Sequence, residues 1–278
     1  MSGPLRIGFS PCPNDTFMFH ALVKGDVQVQ GFVVEPWLAD IERLNERATG
    51  GDPLSVTKLS LNGFAHVADR YAPLRAGATL GRGCGPLVVA RTSMALGDLS
   101  GRRVATPGRR TTAHLLLRMF APAAVELVPM RFESIMPAVA AGEVDAGAVI
   151  HEGRFTFAGF GLVEVADLGA LWEADTGLPL PLAVIAVRRA PGMPAPGVLE
   201  DALRASIRAA QARPDAAADY IRSHAQEMDP DVCRRHIALY VNAYSLELGR
   251  EGEAAIRTLL ARGAAAGILP RADWPYAG

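Results

Sequence analysis

Three short segments of this chain concentrate side chains able to do acid–base and anion chemistry. His151 follows the apolar run Val144-Asp145-Ala146-Gly147-Ala148-Val149-Ile150 and precedes Glu152. Such a run reads as a buried strand, which would deliver the imidazole at its carboxyl end, where α/β proteins open their sites. An imidazole exchanges a proton near neutral pH and is the natural general base. Glu152 is the candidate to orient it, although adjacent residues on an extended chain point to opposite sides. A strand-terminal histidine bonded to a loop carbonyl is the competing reading.

The second segment, Gly108-Arg109-Arg110-Thr111-Thr112-Ala113-His114, leads into an apolar helix. Thr111 or Thr112 can cap it, and the small Ala113 leaves the first amides open. Open amides and the positive helix end attract anions. A carboxylate is the expected guest, because the glycine and lysine pattern of a phosphate loop is absent. A capped helix start with no ligand accounts for the same residues.

The third segment, Lys58-Leu59-Ser60, closes a strand whose alternation puts Lys58 and Ser60 on one side, where a cation and a hydroxyl could face one ligand. A solvated lysine and a capping serine are the alternative. Beside these stands the opening Leu5 to Phe19, in which Pro11 and Pro13 stiffen the turn that presents Asn14, Asp15 and Thr16. Asn14 is its site candidate, while Asn14 or Asp15 as an ordinary helix cap explains the caps but not the rigidity.

Weaker candidates are set aside. Gly81 to Gly85 precedes a strand with no helix after it, so it is no dinucleotide fingerprint. Cys233 and His236 have ligand-like spacing but no second pair, and His20, His66, His114 and His224 are scattered, so no structural metal is expected. Cys12 has no base beside it and reads as a packed thiol. Trp37, Trp172 and Trp274 read as packing residues, with Trp172 able to line a cleft.

Positioning these groups requires strands and helices in alternation. Strands are predicted at Leu5 to Phe9, Val27 to Pro36 and Leu54 to Leu59, with helices at Asp15 to Lys24, Ile41 to Ala48 and Leu61 to Asp69. A second set runs from Arg103 to Ile150. Gly85 to Arg91 and Pro181 to Arg188 are similar proline-led apolar strands that flank it. The expectation is a mainly parallel α/β fold in two lobes. A discontinuous first domain (1–91 and 183–278) carries an inserted second domain (92–182), with the two flanking strands as crossovers and as the hinge. The residues from Val198 onward are expected to form helices on the first lobe that carry no chemistry. Two unrelated core strands of one sheet are the alternative.

The chain has 278 residues, 28 Lys and Arg against 29 Asp and Glu, and a formal charge of −1. That balance, with the arginine pairs dispersed along the chain, argues against a nucleic-acid partner. No apolar run is long enough to span a bilayer, and three unpaired-looking cysteines without an export signal point to the cytoplasm.

Several blocks in order resemble the 1,4-dihydroxy-6-naphthoate synthases of the futalosine route to menaquinone. They are Ser10-Pro11-Cys12-Pro13-Asn14-Asp15-Thr16-Phe17, Thr57 to Ser60, Gly81-Arg82-Gly83, Gly85 to Arg91, Pro107-Gly108-Arg109, Thr111-Thr112-Ala113, His151-Glu152, Thr176 to Leu182 and Tyr240 to Ala243. The resemblance implies a two-lobed fold like that of periplasmic solute-binding proteins, with the site in the cleft. It implies conversion of cyclic dehypoxanthinyl futalosine to 1,4-dihydroxy-6-naphthoate with loss of a sugar-derived fragment, and no metal or organic cofactor. By the same resemblance His151 is the proton acceptor, and Lys58-Leu59-Ser60 with Thr112-Ala113 line the substrate site. A chorismate dehydratase of the same pathway, against which the opening block weighs, and a non-catalytic carboxylate-binding protein are the alternatives.

Overall fold

The computed structural model describes residues 3–225 and 229–276. Its strands are β1 (Gly3–Phe9), β2 (Phe32–Leu38), β3 (Val56–Ser60), β4 (Tyr71–Pro73), β5 (Thr79–Gly81), β6 (Leu87–Ala90), β7 (Arg103–Thr106), β8 (Glu126–Pro129), β9 (Ala146–Val149), β10 (Val163–Asp167) and β11 (Leu180–Arg188). The helices between them are α1 (Pro13–Lys24), α2 (Ile41–Thr49), α3 (Leu61–Ala65), α4 (Thr112–Phe120), α5 (Phe132–Ala141), α6 (Gly153–Thr156) and α7 (Leu168–Thr176). After β11 come α8 (Pro196–Ala212), α9 (Ala218–His224), α10 (Pro230–Tyr240), α11 (Ala243–Leu246) and α12 (Gly249–Ala265).

Two sheets result. The first has the order β2-β1-β3-β11-β4, with β5 also on β11, and the second β10-β6-β9-β7-β8. Both are mixed, not mainly parallel as expected. In the first, β2, β1 and β3 run parallel while β11 runs against β3, β4 and β5. In the second, β6 runs against both β9 and β10. The reversal follows from connectivity: each strand that brings the chain across from the other sheet enters from the opposite end.

Leu87–Ala90 lies wholly in the second sheet, although the sequence reading placed residues up to 91 in the first domain. We therefore propose a domain division by sheet, with the crossings at 82–86 and 177–179. Strands β4, β5 and β10 are too short or too irregular in pattern to be read from sequence, and α7 was missed with them. Val27 to Gly31, expected as strand, is turn and loop.

Local chemistry accounts for the elements that matter to the site. Helix α1 starts at Pro13, whose missing N–H is no loss in a first turn, and ends at Gly25 with φ 82° in the left-handed region. Pro13 to Leu22 are all buried. This helix is therefore enclosed, with α8 and α10 packed against it and its Phe19 stacked on Phe9 of β1. Strand β11 is apolar on both faces because it is covered on both. One apolar cluster joins Leu59, Phe64 and Val184 of the first lobe to Val88, Leu116 and Ala148 of the second, with Ile256 and Leu259 of α12 completing it. Trp172 is fully buried in that cluster and donates to the Pro179 carbonyl at 3.1 Å, so it does not line a cleft. Among the described residues no helix is long and apolar enough to cross a membrane.

The first crossing is pinned where Gly85 meets the start of α7. Asp167 caps that helix by accepting from the amides of Gly169 and Ala170, and Arg154 ties Asp167 to the Gly85 carbonyl. A Cβ on Gly85 would stand 2.3 Å from the Gly169 nitrogen and 2.4 Å from its Cα. Backbone flanks this space, so the added methyl has no flexible neighbour to displace. Gly85→Ala should cost about 1–3 kcal/mol in urea unfolding. Gly97→Ala, with nothing within 4 Å of the new Cβ, should stay within about 0.5 kcal/mol. Equal stability of the two variants would remove the close approach as a constraint.

Candidate active site

The site begins in the turn between β1 and α1. The Cys12 carbonyl accepts the amides of Asp15 and Thr16, each at 3.1 Å, and the Thr16 hydroxyl at 3.0 Å. Cys12 is the N-cap residue, not Asn14 or Asp15. This frees the Asp15 carboxylate to turn back toward the strand. One oxygen accepts from the Ser10 amide at 2.9 Å and the Ser10 hydroxyl at 2.6 Å. The other accepts from Asn14 Nδ2 at 3.0 Å and pairs with the Lys58 ammonium. Asp15 is wholly buried and the Lys58 side chain is 5% exposed, so this is an interior ion pair. The reading of Lys58 as a solvated lysine is thereby excluded.

His151 stands two residues beyond β9, in a turn with φ 54°. Among the described residues it is the one non-glycine with positive φ. Histidine tolerates this region better than most residues, yet the conformation costs on the order of 1–3 kcal/mol and persists only where its surroundings impose it. The ring meets Phe132 edge-on at 5.3 Å between centroids and lies nearly parallel to the His236 ring at 6.1 Å. It borders the cavity and is half-buried by area, but dense protein surrounds it. That burial, with the Lys58 charge second, holds its proton affinity down to about 4, while Asp15 pulls the other way. At neutral pH the ring is therefore free to accept a proton.

Thr111, not Thr112, caps α4: its hydroxyl accepts the His114 amide at 3.2 Å and donates to the Gly108 carbonyl at 2.8 Å. The Thr112 hydroxyl instead accepts from the Leu61 amide at 3.1 Å and donates to the Leu182 carbonyl at 2.7 Å. Ser60 caps α3 and its hydroxyl donates to the Arg110 carbonyl. Asn45 and Asn62 bond the carbonyls of Arg110, Arg109 and Thr111, and Glu42 accepts the Arg110 amide. The loop before α4 is thus fastened to the first lobe at both its carbonyls and an amide. Both hydroxyls expected to face a ligand join the two lobes. What this end offers an anion is the pair of amides of Thr112 and Ala113, which a helix start leaves without intrahelical partners, and the unused donors of Lys58.

A cavity of about 70 Å³ connects these parts, lined among others by Asn14, Lys58, Ser60, Thr112, Ala113 and His151. On the same measure one water takes roughly 10–15 Å³, so the space holds a handful of waters. Leu59 is the exception among the proposed site residues. Its side chain is fully buried in the apolar cluster, as alternation along β3 requires. The sequence reading missed His236 and Tyr240, which reach the site from α10 although the C-terminal helices were expected to carry no chemistry. His236 Nε2 lies 3.0 Å from Asn14 Oδ1, and Tyr240 borders the cavity and donates to the Cys84 carbonyl at 3.2 Å. In the sequence His236 stands out only by its spacing from Cys233.

Among the described residues one trio could approach a metal ion: Cys12, His151 and Glu152 bring ligand atoms within 4.8 Å of one another. Its chemistry fits poorly. Burial, and Glu152 after it, push the Cys12 thiol well above its ordinary range, so it stays a neutral and weak ligand, and the Lys58 charge stands close by.

Two measurements test this electrostatic arrangement. Lys58→Met leaves the Asp15 charge buried without its cation and should destabilise the protein by about 3–5 kcal/mol, with Lys58→Met/Asp15→Asn recovering part of that. A loss below about 1 kcal/mol would mean the pair is solvated. Separately, His114 and His151 are both held down to about 4 and His236 well below its ordinary value, burial being the first cause in each. Between pH 6.5 and about 4 the unfolded chain therefore binds more protons than the folded one. Stability should fall as pH drops from 7 to 5, with a slope approaching about 1.4 kcal/mol per pH unit for each histidine. Urea midpoints unchanged across that range would contradict the burial of neutral rings.

A family model described as menaquinone biosynthesis matches residues 5–265. A 1,4-dihydroxy-6-naphthoate synthase of Thermus thermophilus is 52% identical over 271 residues, covering 98% of both chains. Its counterpart in Streptomyces coelicolor is 50% identical over 271 residues, covering 96% of this chain and 95% of its own. A solved structure from Archaeoglobus fulgidus superposes with a TM-score of 0.89 at 37% identity, covering 96% of this chain and 98% of that one. The alkanesulfonate-binding protein of Xanthomonas axonopodis, solved with MOPS bound, superposes at 0.74 with 14% identity over 96% and 94% of the two chains, which shows the shared binding-protein fold. With half its residues identical to two synthases over nearly the whole length, the chain belongs to the menaquinone-biosynthesis family.

Proposed function

We propose that this chain is a lyase that converts cyclic dehypoxanthinyl futalosine to 1,4-dihydroxy-6-naphthoate with release of a sugar-derived fragment. The observation that carries the reading is His151: a neutral imidazole, held in a strained turn, faces a cavity that ends in an open helix start and a buried ammonium. The substrate is a carboxylate. Its anion fits the Thr112 and Ala113 amides and the charge of Lys58, which fix its orientation. His151 takes the proton. In the empty site its affinity is too low for a strong base, but an anion bound nearby favours the imidazolium and raises it, so the base gains strength as substrate arrives. Asn14 supplies a polar contact from the first lobe. Enclosure by both lobes keeps water from reactive intermediates.

Because the cavity holds only a handful of waters, substrate must part the 108–112 loop from α2 and α3 before it can bind. The buried thiols of Cys12 and Cys84 are consistent with a reducing compartment, and we place the protein in the cytoplasm.

The test is direct. Purified protein incubated with cyclic dehypoxanthinyl futalosine should develop the absorbance of the naphthoate. His151→Asn is the variant of choice, since asparagine also accepts positive φ and leaves the turn unstrained by the change. It should lose about 10²- to 10⁴-fold in kcat with KM within a few-fold. No product from wild-type protein would refute the activity, and a variant turning over at the wild-type rate would remove His151 from it.

A further inference from the structure

His236 lies on α10, in the C-terminal part of the chain, and its side chain is fully buried between the two lobes. Its tautomer follows from the groups around it. Asp15, paired with the Lys58 ammonium, can only accept hydrogen bonds, so Asn14 must turn its amide nitrogen toward Asp15, at 3.0 Å. That leaves Asn14 Oδ1 facing His236 Nε2 at 3.0 Å, and this nitrogen must carry the proton. The neutral ring then presents a bare Nδ1, which has no hydrogen-bond partner, on the side where Glu152 Oε2 lies 3.8 Å away. The face of the same ring lies almost parallel to His151, at 18° between planes. The residue before it, Arg235, places its guanidinium 4.6 Å from the ring centroid of Phe155, on α6 just beyond the His151 turn. Two consecutive residues of α10 therefore face the segment from His151 to Phe155, one beside the strained base and one on the helix that follows it, and they do so from the other lobe.

We propose that His236 is a positioning residue for the reaction: it holds Asn14 on one lobe and the His151-Glu152 turn on the other, so that the base reaches its working geometry only when α10 and that turn are in contact. The proposal rests on the function given above. It goes beyond it by making the base a product of closure. The αL conformation of His151 needs an external restraint, and the ring of His236 with the Arg235–Phe155 contact is placed to supply it. Asn14 needs a donor at Oδ1 to stay turned toward the cavity, and His236 is the donor present.

Three readouts test it. In wild-type protein, nitrogen-15 NMR of the histidines at pH 7 should show His236 neutral with its proton on Nε2. An Nδ1-protonated ring or an imidazolium would overturn the hydrogen-bond chain, whether or not the substrate assignment holds. His236→Leu removes the donor and the aromatic face and should lower kcat about 10- to 100-fold with KM changed less than about 3-fold. His236→Gln, which keeps a donor within reach of Asn14, should recover a large part of that loss. If wild-type protein turns over the substrate and His236→Leu keeps its kcat, the positioning role is refuted. A loss carried by KM alone, or the same loss in His236→Gln and His236→Leu, also refutes it. If wild-type protein fails to turn over the substrate, it is the proposed function that fails, and the NMR result still decides the tautomer.

Discussion

Burying the Asp15 carboxylate obliges the first lobe to bring four donors to it. An uncompensated charge in the interior would cost several kcal/mol, more than most single contacts return. The turn after β1 supplies the Ser10 amide and hydroxyl, α1 supplies Asn14, and β3 supplies Lys58. Each of those groups is then no longer at liberty. Asn14 can face only one way, Lys58 cannot reach solvent, and the Pro11-Cys12-Pro13 turn must keep the carboxylate aimed back at its own strand. The ion pair thus sets the polarity of the surrounding hydrogen bonds through Asn14 to His236, and its cation is one of the two causes that hold His151 neutral.

The two lobes meet in two physically different ways. Behind the site they share apolar side chains that run from Phe64 and Val184 to Leu116 and Ala148. At the mouth they meet through polar bonds from Asn45, Ser60, Asn62 and Glu42 to the backbone of the 108–112 loop. Hydrogen bonds of this kind contribute about 0.5–1.5 kcal/mol each and re-form with water when broken. Shared apolar surface has no such substitute. On the function proposed above, the mouth is the side that parts and the apolar side is the pivot. Such an arrangement suits that function, in which substrate must be admitted and water then excluded from it. Gly108 shows how tight the closed mouth is, since a Cβ there would stand 2.3 Å from the Glu42 carboxyl carbon.

Much of this was legible in the residues alone. Proline positions stiffened the first turn, the apolar run before His151 placed it at a strand end, and Lys58 and Ser60 fell on one face by simple alternation. Ordered blocks of the same residue types pointed to the family. These are local properties: a period of two, a proline ring and a cap. The sequence by itself determined most of the longer strands and the two α/β lobes, and it put a base, a cation and a helix start at strand ends, because those features are set within a few residues of each other.

Only the tertiary structure decided how those groups are used. Asp15 looked like a cap and is the buried partner of Lys58, because nothing local says that β3 passes beside the turn after β1. Thr112 and Ser60 looked like ligand donors and are spent on joining the lobes, because their acceptors lie 70 and 50 residues away in the chain. His236 sits 222 residues from Asn14 and has no local signature, since an isolated histidine on a helix reads the same whether it faces solvent or a neighbouring lobe. A hydrogen bond's polarity and a charge's burial are properties of pairs. When the pair is distant in sequence, only the folded arrangement of both partners determines them.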